Sequence, residues 1–173
     1  MSQWFMVTLV GKDQIGIVAK ITTVLYQYNC NLGEASMLRL GGNFTVMLMV
    51  SYNGNVQDLN KCLQPIADNL QLQLHIDIID GQLHHHKNSN LRIRVHGADR
   101  IGIVAQITTA LAQAGFNILD LESDVGGADN KPFYIMNIEG IATAGIESVE
   151  TILQDLLSNE LEVKLEPIEI VMM

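Results

Sequence analysis

Gly11-Lys12-Asp13-Gln14-Ile15-Gly16-Ile17-Val18-Ala19-Lys20-Ile21-Thr22-Thr23 returns almost unchanged as Gly97-Ala98-Asp99-Arg100-Ile101-Gly102-Ile103-Val104-Ala105-Gln106-Ile107-Thr108-Thr109. The chain is therefore two copies of one module, and a reading of either copy tests the other. Working outward from the second copy, Leu91, Ile93 and Val95 alternate with Arg92, Arg94 and His96, the period of a strand with one buried face. From Ile101 the apolar residues Val104, Ala105, Thr108, Leu111 and Ala112 keep helical spacing, and Gly115 is placed to end a helix over 101–114. A strand over 117–125, a turn at Gly126-Gly127 and a strand over 133–139 follow, then a helix over 145–158 and a strand from 161 in which Leu161, Val163 and Leu165 alternate with charges.

The first copy gives the same order: strand 3–10, helix 15–29, strands 31–40 and 43–52, helix 56–69, strand 71–79. Both copies read βαββαβ, an α+β fold of two tandem ferredoxin-like units, each an antiparallel four-stranded sheet with two helices on one face. We expect module 1 over 1–80, a polar linker over 81–90 that holds His84-His85-His86, and module 2 over 91–173. Such a sheet leaves its second face bare. If Phe5, Val7 and Leu9 meet the helices, Met6, Thr8 and Val10 point away from them together with Met47 and Met49, an apolar face expected to be covered by the other module, a second chain or a partner.

Composition narrows the function. The 173 residues are 48% hydrophobic, and no apolar run is long enough to span a bilayer, so no membrane role is expected. The two cysteines, Cys30 and Cys62, offer no disulfide framework, and the opening Met-Ser-Gln-Trp-Phe has no secretory character, which points to the cytoplasm. With a net charge of −9 and ten scattered basic residues, the chain has no footprint for phosphates, so direct nucleic-acid binding is not expected. No nucleophile with a base, no paired carboxylates in a cleft and no metal-ligand spacing can be assembled, and neither catalysis nor a cofactor is expected. The contiguous histidines of the linker read as a solvated connector.

The unit Gly-x-Asp-x-x-Gly-Ile-Val-Ala, following a strand and opening a helix within βαββαβ, resembles the ACT domain, a regulatory module that commonly binds amino acids. Two such units filling nearly the whole chain are similar to the glycine cleavage system transcriptional repressor family; related modules also precede a catalytic domain in formyltetrahydrofolate deformylases. The resemblance implies an effector such as glycine and a partner that is a DNA-binding transcriptional activator, with a homo-oligomer also possible. It implies ligand contacts at the first loop, Gly11, Asp13 and Gly16 with Gly97, Asp99 and Gly102, and at the start of the second strand, Asn31 and Asn117. Amino-acid-binding relatives often carry Asn where this chain has Asp13 and Asp99.

The residues support a ligand at this loop independently. Where a strand turns directly into a helix, the first amides lack intrahelical partners and carry partial positive charge, which suits a carboxylate. Glycine permits close approach and unusual backbone angles, and an aspartate can accept hydrogen bonds from an ammonium. Two other readings stay open: Asp13 and Asp99 as helix caps with no ligand at all, in a pure interaction module, and the chain as a regulatory subunit of an amino-acid or folate enzyme.

Overall fold

The computed structural model describes residues 2–81, 88–98, 100–126, 133–154 and 161–168. The chain divides into two compact units, Met1–His85 and His86–Met173. Unit 1 runs β1 (Gln3–Lys12), α1 (Ile17–Gln27), β2 (Asn31–Leu40), β3 (Asn43–Tyr52), α2 (Val56–Asn69) and β4 (Gln73–Ile79). Unit 2 repeats the order with β5 (Leu91–Ala98), α3 (Ile103–Gln113), β6 (Phe116–Gly126), β7 (Phe133–Ala142), α4 (Ile146–Gln154) and β8 (Leu161–Pro167). The sheets are β2-β3-β1-β4 and β6-β7-β5-β8, antiparallel throughout. The expected α+β architecture of two βαββαβ units is what the chain adopts.

Alternation builds each core. Phe5, Val7 and Leu9 on β1 are fully buried, as are Leu91, Ile93 and Val95 on β5. Against them each first helix lays a stripe spaced by four residues, Ile17, Ile21 and Leu25 on α1 and Ile103, Ile107 and Leu111 on α3. The second helices add Leu59 and Leu63 in unit 1, Val149 and Leu153 in unit 2. The two cores have no buried residue in common.

The helices start later than periodicity suggests. Gly16 and Gly102 take left-handed φ values of 85° and 89°, so right-handed geometry begins only at Ile17 and Ile103. Ile15 and Ile101, read as the first apolar residues of the helices, are instead fully exposed on the loops. Left-handed Gln71, φ 55°, likewise delays β4 to Gln73. At the other helix end Gly115, φ 70°, terminates α3 as its position implies.

On the faces turned from the helices the two units differ. In unit 1, Val10 and Met47 are exposed while Met49 is buried. In unit 2 the matching rungs carry Arg92, Arg94 and His96 on β5, paired across β7 with Glu139, Asn137 and Ile135.

Candidate functional site

β1 is the strand that delivers the first loop, and it is hydrogen-bonded on both sides, by β3 and β4. Its last pair is Lys12 opposite Asn43, and the Asp13 amide then donates to the Gly42 carbonyl at 3.2 Å. The loop is thereby tied to the β2–β3 hairpin, whose Gly41 and Gly42 supply two successive left-handed residues. On its other side the Gln14 amide nitrogen donates to the Leu70 carbonyl at 3.0 Å, anchoring the loop to the end of α2. Gly16 closes the bend into α1, and no side chain caps that helix.

Asp13 is therefore not a helix cap. Its carboxylate is ion-paired with the guanidinium of Arg39 through Nη2. Register puts Arg39 there: it stands opposite Phe44, and Phe44 opposite Gly11, so the three form one rung on the helix side of the sheet at the loop end. The Arg39 side chain is 68% exposed and that of Asp13 25%, and pairs of this exposure typically contribute about 0.2–1 kcal/mol. Around the pair lies an open depression of about 400 Å³, lined by the loop, the first turn of α1, Met37, Arg39 and Phe44. That is the lower end of the size range of small-molecule sites.

Of the other expected residues of unit 1, Gly16 lines the depression, whereas Gly11 and Asn31 do not. Gly11 has no left-handed φ; it is a strand glycine, and a Cβ there would lie 2.6 Å from Leu72 Cδ2 and 2.9 Å from the Gln71 carbonyl oxygen. Its lack of a side chain makes room for the turn from α2 into β4. Asn31, the first residue of β2, stands opposite Ser51, which stands opposite Trp4 at the beginning of β1. Eight residue steps along β1 separate that rung from Lys12, roughly 26 Å of strand, and Asn31 shares the outer face with Ser51. Within one unit, Asn31 and the Asp13 loop cannot hold the same small molecule. The left-handed asparagine of that turn is Asn29, φ 53°.

Unit 2 repeats the backbone, and among its described residues no ion pair corresponds to that of Arg39 and Asp13. Gly97 is a strand residue of β5, opposite Tyr134 and Leu161, and lacks a left-handed φ. Gly102 makes the bend without a side-chain cap. Asn117, opposite Ile141, lies at the far end of the sheet as Asn31 does. Asp99 and His84, His85 and His86 lie outside the described residues. The rung that holds Arg39 in unit 1 holds Val125 here, opposite Tyr134. Arg100 turns along α3, donating to Gln106 Oε1 at 3.1 Å.

A second depression, of about 440 Å³, opens on the outer face of unit 2 among Arg92, Arg94, His96, Asp120, Glu122 and Glu139. Its cations are largely neutralised from within. Arg92 Nε donates to Glu139 Oε1 at 2.7 Å, Arg94 lies 3.3 Å from Glu166, and Lys164 lies 2.9 Å from the other oxygen of Glu166. Glu166 is held below its ordinary pKa, first by the hydrogen bond from Lys164 and then by the nearby arginines. The basic row visible in the sequence is thus one half of an ion-pair lattice.

Reactive chemistry finds little support. Burial, and then the charge of Cys62, pushes the Cys30 thiol up to about 11, so almost none is thiolate at neutral pH. Burial also raises Cys62. Among the described residues no group of three or more His, Cys, Asp or Glu could hold a metal ion, and no helix is long and apolar enough to cross a membrane.

The duplicated βαββαβ fold defines a tandem α+β module. The chain belongs to the ACT-domain family: residues 3–77 and 91–158 each match an ACT domain. Its curated relatives include a UPF0237 protein of Methanosarcina mazei, 42% identical over 48 residues that make up 28% of this chain and 52% of that one. Another, from Listeria monocytogenes serotype 4b, is 31% identical over 72 residues, 40% of this chain and 81% of the relative. The chain spans about half the length of the archaeal relatives it matches.

Among solved structures, an unknown protein from Galdieria sulphuraria superposes with a TM-score of 0.74 at 24% identity over 98% of this chain and all of that one. A candidate glycine cleavage system transcriptional repressor follows with a TM-score of 0.69 at 17% identity, covering 98% of this chain and 99% of its own. At these identities the two structures speak to the fold.

Arg39 is the residue that the sequence reading missed. The available signal was its position as the one charge in Ser36-Met37-Leu38-Arg39-Leu40, at the end of β2 that approaches the Gly11–Gly16 loop.

Proposed function

We propose that the chain is an amino-acid-sensing regulatory protein, without catalytic activity of its own, that represses transcription by contact with a DNA-binding activator in the cytoplasm. The observation that carries the sensing role is the open depression at the β1–α1 loop, where an uncapped helix start, an aspartate and an arginine converge. An α-carboxylate suits the helix amides and the guanidinium; an α-ammonium suits Asp13. Glycine leads the candidates because of the repressor resemblance, and the depression also leaves room for a side chain. The acidic balance of −9 favours action through a protein over direct contact with DNA.

Glycine has few atoms to bind with. At a ceiling of about −1.5 kcal/mol per heavy atom, its affinity is micromolar at best. The sensor works by linkage, so the amino acid must bind the free and activator-bound forms unequally; equal affinity shifts nothing. Calorimetric titration of the full chain with glycine, alanine, serine, valine and methionine tests the first half of this reading, with saturable heat expected for at least one. Activator affinity measured with and without that amino acid tests the second.

One observation favours a different reading. Arg39 and Asp13 already satisfy each other's charge, as they would in a ligand-free interaction module. Absence of heat with every amino acid at millimolar concentration, together with intact binding to the activator, would establish that alternative.

A further inference from the structure

We propose that β6 of unit 2 is a docking edge for a basic, extended segment of a partner protein, which adds as a further strand with its cations at alternate residues. That edge belongs to unit 2, and its role is independent of whether unit 1 binds an amino acid.

β6 is the outermost strand of the sheet β6-β7-β5-β8, and every residue from Leu119 to Val125 is exposed. Among the described residues its ladder is with β7 alone, so the backbone groups on its other side have no strand to bond. Register then sorts its side chains. Asp120, Glu122 and Asp124 stand opposite Glu139, Asn137 and Ile135 on the outer face, while Leu121 and Val125 stand opposite the buried Ile138 and Tyr134 on the helix side. Leu121 is 37% and Val125 53% exposed, apolar surface that the open edge leaves uncovered.

The cations of the same face are already engaged. Arg92 is bonded to Glu139, and Glu166 holds Arg94 and Lys164 at 3.3 and 2.9 Å. Asp120 and Glu122 make no ion pair among the described residues, and Asp124 accepts from the Val125 amide at 2.8 Å. A column of three carboxylates thus borders an open strand edge, and the next strand outward, about 4.8 Å away, would set its own outer-face residues beside them. Lys or Arg at three alternate positions satisfies the column, and small apolar residues between them meet Leu121 and Val125. The depression of about 440 Å³ beside Asp120 and Glu122, lined also by Asn137 and Glu139, gives long cationic side chains room to lie across the face. The same charges exclude a second copy. Two β6 edges joined antiparallel would bring the carboxylates of one beside those of the other, a destabilising arrangement. Unit 1 has no such column, since β2 carries Ser36 and Leu38 at the rungs that hold Glu122 and Asp124 here.

The test is fluorescence anisotropy of the labelled peptide Thr-Lys-Val-Lys-Val-Lys-Thr, capped at both ends, with the full chain. Beside it stands Thr-Val-Lys-Lys-Lys-Val-Thr, which has the same composition and charge in the wrong spacing. The alternating peptide should bind at least tenfold more tightly than the contiguous one, and should lose at least tenfold in a variant carrying Asp120→Asn, Glu122→Gln and Asp124→Asn. In hydrogen–deuterium exchange the amides of β6 should slow when it binds. Equal affinities for the two peptides, unchanged affinity in the triple variant, slowing confined to other strands, or no binding at all would overturn the assignment, and each leaves amino-acid sensing standing. Slowing of β6 exchange as chain concentration rises with no peptide present would give the edge to a second copy and overturn it too. The three acids are exposed, and an unchanged thermal unfolding curve for the triple variant separates lost docking from lost structure. Glu122→Gln alone, expected to lose about threefold, serves the same comparison if the triple variant unfolds early.

Discussion

Glycines in this fold answer to different constraints. Gly16 and Gly102 hold left-handed angles in open space, with no atom within 4 Å of a built Cβ. Alanine at either position meets no neighbour and pays only for its backbone, a loss of about 1–2 kcal/mol in denaturant unfolding. Gly11→Ala and Gly140→Ala face the reverse problem, ordinary backbone angles with occupied space. The Gly140 Cβ would lie 2.1 Å from the Asn117 carbonyl oxygen, a backbone atom that cannot rotate away. We expect Gly140→Ala to cost more than Gly16→Ala in the same assay, as overpacking that must move a strand. Cys30 illustrates burial acting on chemistry. Unfolded, its thiol ionises near 9.0; folded, near 11, so folding stability falls as pH rises across that window and is untouched below it. At pH 8 the thiolate fraction is about a hundredfold lower than for a free thiol, partly offset by higher intrinsic nucleophilicity, so alkylation should run about tenfold slower than with free cysteine.

Helices and strands show what periodicity can and cannot carry. α2 is bounded by Val56 and Asn69, the limits expected from sequence, because Asn55 marks its start chemically: the side-chain oxygen accepts from the Asp58 amide at 2.9 Å. Asn55→Ala should therefore lower stability by about 1 kcal/mol, measured by denaturant unfolding. α1 and α3 were legible as helices from their four-residue apolar stripe, but not in their first turn, because Ile15 and Ile101 fit the stripe while Gly16 and Gly102 forbid it. Strand order and alternation were equally readable, and with them the fold. The site was not. Asp13 was visible as a loop carboxylate, but its partner Arg39 depends on pairing register across β2, β3 and β1, which alternation alone does not number. The same register sets Asn31 at the opposite end of the sheet from the loop, and Gln71 and Leu72 fill the space beside Gly11, facts of sheet geometry that no local pattern contains.

Duplication at the scale of the whole chain has preserved cores and let surfaces diverge. Leu63 and Ile93 are both fully buried, in cores with no buried residue in common. Leu63→Ala and Ile93→Ala should each cost about 2–5 kcal/mol, and the double variant should equal their sum within about 0.5 kcal/mol. The charged face of unit 2 makes its own demand on solution conditions. Because the Glu166 pKa is lowered in the folded chain, its stabilising contribution is present above about pH 4.5 and is lost as pH falls through the lowered folded value. Glu166→Gln should flatten the acid limb of the stability profile relative to wild type. Finally, the loop of unit 1 leaves from β1, the strand flanked on both sides in its sheet. A guest bound only to the intact loop would make backbone amides of β3 and β4, far from any contact with it, give up their protons to deuterium more slowly, since those amides exchange only when the strand between them opens.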